Sequence, residues 1–155
     1  MTINPANILI RKGTPQDKIA IAKFQLKMAW ETELLELDQA VVEAGVQKIF
    51  DEPVRGSYWV AEHQGKLVGS LLVLFEWSDW RNGDVLWIHS VYISPEFRNF
   101  GIFKKMYLQL KKLVEESGNY RGLRLYVDKT NQNAQKVYKA LGMTNEHYEL
   151  FEWLK

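Results

Sequence analysis

The chain contains no cysteine, which excludes disulfides, thiolate metal sites and a cysteine nucleophile. Its three histidines, His63, His89 and His147, lie far apart in sequence and make a poor ligand set, so no metal is expected. With four prolines and no Pro/Ser-rich linker, repeat or low-complexity run, nothing divides the 155 residues, and one domain over 1–155 is expected. Neither sign of charge dominates. Twenty Lys and Arg residues stand against nineteen Asp and Glu, a net charge of +1, so no nucleic-acid partner is expected. The longest apolar stretch, LVGSLLVLF (67–75), is too short to span a membrane. No signal-peptide pattern opens the chain, and a cytoplasmic protein without membrane association is expected.

What is present is a regular change of period. ILIRKG (8–13) reads as a strand, and Thr14-Pro15 with Asp17 marks a helix start. Ile21, Phe24 and Met28 keep helical spacing within 17–31. Leu37, Val41, Ala44 and Ile49 imply a second helix over 36–50, which Gly45 weakens slightly. SYWVAEH (57–63), a Gln64-Gly65 turn and KLVGSLLVLF (66–75) read as a hairpin whose second strand, apolar on both faces, is expected to be central. A polar loop over 76–84 is expected before strand 85–93. A helix over 101–117, a strand over 123–127, a helix over 132–141 and a last strand or strand pair over 146–154 complete the order. The whole is β-α-α-β-β-β-α-β-α-β, an α/β mixed sheet with helices on both faces.

Between strand and helix lies SPEFRNFGIF (94–103). The first turn of a helix carries amides without intrahelical acceptors and the positive end of the peptide dipole, a receptor for phosphate. Gly101 lets backbone approach a ligand closely, and Arg98 with Lys104 or Lys105 can add charge-assisted contacts. A tight turn beside a solvated face would leave the same marks. Neither the nucleotide P-loop spacing nor a dinucleotide fingerprint is present. Further on, Asn131, Ala134, Tyr138 and Leu141 fall on one side of a helix, an amide at its start and a phenol in its middle.

Together, V-x-I-S-P-E-F-R-x-x-G-I (91–102) and N-x-x-A-x-x-x-Y-x-x-x-G-M (131–143) resemble the GCN5-related N-acetyltransferases (GNAT), loosely their polyamine-acetylating branch. The resemblance implies a mostly antiparallel sheet of six to seven strands flanked by about four helices. It implies acetyl-CoA as co-substrate, its pyrophosphate on Arg98, Asn99, Phe100, Gly101, Ile102, Phe103 and Lys104. The pantetheine arm would lie along Val91, Tyr92 and Ile93 and on Asn131, with Tyr138 protonating the departing thiolate. The chain departs from the family pattern at Asn99 and Phe103, where Gly and a small residue are usual. A homodimer is also expected from the resemblance.

Acetyl transfer to an amine needs a neutral nucleophile, stabilisation of the developing oxyanion and a proton for the thiolate. With no cysteine to carry acetyl, direct attack is expected. The region 86–93 lacks a carboxylate, which leaves His89 as candidate base, with Glu31 and Glu33 as alternatives. Trp30, Trp77, Trp80 and Tyr126, with Glu31, Glu33 and His89, are candidate acceptor contacts for a small-molecule primary amine, a polyamine or another cationic amine among them. The alternative is a weak or inactive relative of the same fold, serving as a coenzyme A-binding or protein-interaction module.

Overall fold

In the computed structural model, which describes residues 3–155, the chain resolves into two compact units, one ending at Arg124 and one running from Leu125 to Lys155. In the first, β1 (Ile8–Lys12) leads through a short 3-10 turn into α1 (Lys18–Glu33). That junction is held by charge. Arg11 donates to Asp17 at 2.8 and 3.0 Å and to Glu62 at 3.0 Å, while the Thr14 amide donates to Asp17 at 2.8 Å. Leu34, at φ 53°, ends α1, and Asp38 caps α2 (Gln39–Asp51) by accepting from the Val41 amide at 3.1 Å.

Four antiparallel strands follow one another in space: β1, β2 (Gly56–His63), β3 (Lys66–Ser78) and β4 (Gly83–Ile93). α3 (Ile102–Glu116) then crosses to β5 (Tyr120–Arg124), which pairs parallel to β4. β3 is central, as its two apolar faces imply. On one face, Ile21 and Ala22 of α1 and Val46 of α2 pack with Tyr58 and Val60 of β2. Alternation sends Leu71, Val73, Leu86 and Ile88, all buried, to the other face. α3, burying Ile102, Met106, Tyr107 and Leu110, lies against β1, β2, β4 and β5. Each such side chain contributes roughly 1.5–3 kcal/mol by leaving water.

Four expectations are corrected. The sheet has five strands among the described residues rather than six or seven. The strand expected at 123–127 begins earlier, at Tyr120, and ends at Arg124. No helix or strand follows Ala140, and Phe151 and Trp153 are 89% exposed, so the alternating tail at 146–154 is not a strand. Alternation marks a chain that can pair; pairing itself needs a neighbour for the backbone groups. The polar loop expected at 76–84 is mostly ladder as well. Glu76, Trp77 and Ser78 pair with Val85, Asp84 and Gly83, leaving a tight turn at 79–82. The Arg121 guanidinium fastens that turn to the start of β5, donating to the carbonyls of Arg81, Asn82 and Gly118 at 2.9, 3.0 and 2.7 Å.

Among the described residues no helix is long and apolar enough to cross a membrane, and no three His, Asp or Glu side chains group as metal ligands. The second unit is built around α4 (Gln132–Ala140).

Candidate active site

The turn between β4 and α3 is anchored before it opens. The Ser94 amide donates to the Val68 carbonyl at 2.8 Å, and a 3-10 turn, Pro95–Phe97, closes through Phe97 donating to Ser94 at 2.8 Å. Phe97 is buried with its ring centroid 5.3 Å from that of His63. Two residues then take left-handed backbone, Asn99 at φ 66° and Gly101 at φ 72°. Asparagine is among the few non-glycine residues that enter this region readily, so Asn99 replaces the family's glycine without a large backbone penalty.

Gly101 is the N-cap of α3, and no side chain caps that helix. The first helical hydrogen bond runs from the Lys105 amide to the Gly101 carbonyl at 3.0 Å, so the amides of residues 102 to 104 have no acceptor behind them within the helix. A Cβ on Gly101 would meet no atom within 4 Å. The turn therefore presents a helix N-terminus and open space together, a fit for a diphosphate. The Phe103 ring lies beside that of Tyr107, centroids 6.3 Å apart.

Two of the three candidate cationic side chains, Arg98 and Lys105, are engaged by protein groups. Arg98 Nε donates to the Ile93 carbonyl at 2.8 Å, Nη2 donates to Glu31 Oε2 at 2.5 Å, and Cζ stands 5.6 Å from the centre of the Tyr92 ring. Lys105 Nζ donates to the carbonyls of Pro5 and Ile8 at 3.1 and 2.5 Å. Lys104 is exposed on α3, as Phe100 is on the turn.

β4 is irregular where the pantetheine arm is expected. Ser70 of β3 pairs with Tyr92 and Leu72 with His89, so Ser90 and Val91 together oppose Leu71. Ser90 takes φ 51° in this bulge. Pairing with β5 has already stopped at Trp87, opposite Arg124. The stretch from His89 to Ile93 thus lies beyond the last β4–β5 pair.

On the α1 face, register aligns Trp87 with Leu74, His89 with Leu72 and Tyr92 with Ser70. Trp87 and His89 stack at 6.1 Å, and burial holds the His89 imidazole below its ordinary value, hence neutral at pH 7. Tyr92 stacks on Phe24 of α1 and donates from Oη to Glu31 Oε1 at 3.0 Å. Its phenol is raised by burial and by the Glu31 carboxylate. Trp30, Glu31 and Glu33 all sit in the last turn of α1 and are exposed to different degrees. Trp77 is not with them. It pairs with Asp84 one step from Glu76, so alternation sends it to the opposite face, and Trp80 lies in the hairpin turn, 87% exposed. Glu76 is bonded by Arg124 at 2.8 Å.

In the second unit, Asn131 is the N-cap of α4, its Oδ1 accepting from the Ala134 amide at 3.1 Å. The N-x-x-A spacing that ends in Ala134 is a capping spacing, a signal the sequence reading passed over. Asp128 accepts from the Thr130 amide and hydroxyl at 2.7 and 2.6 Å, closing the turn ahead of the helix. Tyr138 is half-buried and its phenol is raised by burial, so it keeps its proton at neutral pH. Tyr126 is 54% exposed. The Glu31–Arg98–Tyr92 cluster is not legible in the sequence, because Glu31 stands 61 and 67 positions before Tyr92 and Arg98 and no spacing links it to them.

Comparison with known proteins adds the following. A family model described as "Acetyltransferase (GNAT) family" matches residues 22–143, across both units. A crystal structure of a possible acetyltransferase from Clostridium difficile 630 is 39% identical, with TM-score 0.89, covering 96% of this chain and 97% of that one. A predicted acetyltransferase from Clostridium acetobutylicum, solved with acetyl-CoA, is 19% identical with TM-score 0.71, covering 96% and 94%, and shares the fold. A curated thialysine N-epsilon-acetyltransferase from Bos taurus is 35% identical over 82 residues, 52% of this chain and 47% of that protein. The chain thus spans about half the length of that curated relative.

Proposed function

Because the chain belongs to the acetyltransferase (GNAT) family, we propose that it is an acetyl-CoA-dependent N-acetyltransferase acting on a primary amine of a small molecule. The observation that carries the reading is the uncapped start of α3, with left-handed Asn99 and Gly101 facing open space. Acetyl-CoA would supply an acetyl group activated as a thioester. The amides of residues 99 to 104 would hold its diphosphate, and the backbone of Val91, Tyr92 and Ile93 its pantetheine arm. Their amides are dipoles fixed before the reaction, which is why an oxyanion there would be stabilised without reorganisation.

His89, kept neutral by burial, is suited to accept a proton from the attacking amine. Tyr138, kept protonated by burial, is suited to deliver one to the leaving thiolate; that role rests on the N-x-x-A-x-x-x-Y pattern and on its protonation state. The acceptor is proposed to be an amine with an aromatic or aliphatic body. Trp87 and His89 stack on the α1 face, while of the two candidate carboxylates Glu31 is bonded to Arg98 and Glu33 is exposed at the end of α1. Glu33 is the candidate carboxylate for a cationic amine.

Calorimetric titration with coenzyme A and a thiol-release screen over polyamines, aminoglycosides, amino acids and aromatic amines test the reading. The expected result is micromolar binding and turnover with at least one monoamine class. Tyr138→Phe should lower turnover about 10²-fold or more at unchanged coenzyme A affinity. Absence of binding at millimolar coenzyme A would remove the function altogether. Binding without turnover across the panel would instead favour a coenzyme A-binding module, with exposed Trp77 and Trp80 as its contact surface.

A further inference from the structure

Arg98 stands at the mouth of the turn where a phosphate ligand is expected, and its guanidinium makes three contacts within the protein. Nε donates to the last carbonyl of β4, Ile93, at 2.8 Å; Nη2 donates to Glu31 at 2.5 Å; the plane lies 5.6 Å over the Tyr92 ring. Glu31 is shared. Its second oxygen accepts from Tyr92 Oη at 3.0 Å. Tyr92 is in turn fixed by its stack on Phe24, 5.1 Å between centroids, and is 3% exposed.

One carboxylate at the end of α1 therefore ties a buried β4 tyrosine to the arginine that precedes left-handed Asn99. We propose that Glu31 is a positioning residue for the coenzyme A cradle, locking Arg98 as a strut across the β4–α3 turn rather than serving as an acceptor-amine contact. The left-handed backbone at Asn99 and Gly101 is not held by a capping side chain. The Ser94, Phe97 and Arg98 amides fasten the turn by backbone bonds up to residue 98. The Arg98 side chain ties the end of that fastening to α1 through Glu31. Its consequence is that the diphosphate is met by pre-aimed backbone amides, while the arginine charge is already balanced by Glu31.

The inference rests on the proposed cofactor reading, and two independent measurements keep them apart. Hydrogen–deuterium exchange of the ligand-free protein reads the strut without any cofactor. In Glu31→Ala the amides of residues 95 to 104 should exchange about tenfold faster, with those of β2 and β3 unchanged. Calorimetry reads the cofactor, and the same variant should bind coenzyme A about tenfold more weakly, because a turn no longer held in place must be ordered on binding.

Glu31→Gln, whose amide oxygen can still accept from Arg98 while its NH2 donates to Tyr92 Oη, should restore most of both signals. Arg98→Ala combined with Glu31→Ala should be no worse than either alone. Unchanged exchange in Glu31→Ala would overturn the strut. So would tighter coenzyme A binding in that variant, because Arg98 would then be a phosphate ligand that Glu31 restrains. A wild-type protein that ignores coenzyme A but shows the exchange effect would defeat the cofactor reading and confine Glu31 to ordering the turn.

Discussion

Phe24 of α1 and Tyr92 of β4 stack with ring centroids 5.1 Å apart and planes 27° from parallel. The pair joins α1, whose last turn carries Trp30 and Glu31, to the strand that runs into the β4–α3 turn, and both rings are buried. Phe24→Ala should cost about 3–5 kcal/mol of stability, from lost transfer free energy and the cavity left behind. Tyr92→Phe keeps the stack and loses only the Oη contact to Glu31, for about 1 kcal/mol. Urea unfolding of the two variants checks the contrast; equal losses would mean that the hydroxyl, not the ring, dominates.

Asp17 gives the first unit an acid sensitivity. Its carboxyl is held below its ordinary value of 3.8, chiefly by the Arg11 hydrogen bond and against the effect of burial, with the Thr14 amide adding to the lowering. A group with a depressed folded value stabilises fully above its unfolded value and loses that stabilisation as pH falls through the folded one. Asp17→Asn should therefore cost about 2–3 kcal/mol at pH 7, since Arg11 retains Glu62 but loses its more buried partner. The gap between wild type and variant should close as unfolding is measured from about pH 6 down to about pH 2. A gap independent of pH would assign the loss to packing.

Much of this fold is legible in the chain because local chemistry and tertiary position agree. Thr14, Pro15 and Asp17 mark the approach to α1, and the two-faced apolar run at 66–75 sits in the central strand. The β4–α3 turn is legible too, since Gly101 and the change of period at 94–103 are local features. What escaped is non-local. The pairing of Glu76–Ser78 with Gly83–Val85 makes ladder out of a polar stretch, and nothing in EWSDWRNGD announces its register. Proximity in sequence groups Trp77 with the acceptor face, but a single step of alternation sends it to the other side. The chemistry of Arg98 permits a phosphate contact, while its partner Glu31 lies 67 positions earlier, beyond any local pattern.

The left-handed pair in the turn makes a graded prediction. Asn99→Gly should leave stability and coenzyme A affinity within about twofold, because glycine takes φ 66° freely. Asn99→Val places a branched side chain in the same region and should cost about 1–2 kcal/mol. Gly101→Ala meets no steric neighbour, so its cost of about 1 kcal/mol is backbone strain alone. Its effect on coenzyme A affinity should exceed its effect on stability, since the added methyl stands where the ligand is proposed to lie. Thermal unfolding alongside calorimetry separates the two. An affinity that follows stability in proportion would place the diphosphate elsewhere.

His89 makes the last prediction, on pH. Burial depresses its imidazole below 6.5, and its register on β4 places it on the face of Trp87 and Tyr92. A base must be neutral to act, so kcat/KM should rise with pH through the folded value, with an acid limb centred below about 6.5. Had the shift been upward, the limb would reach into the physiological range and activity would still be climbing at pH 7. His89→Gln should lower kcat by about 10²-fold and abolish the acid limb, while coenzyme A affinity stays within about twofold. A limb that survives in His89→Gln would belong to another group. Glu33, exposed at the end of α1, would then be the next residue to replace.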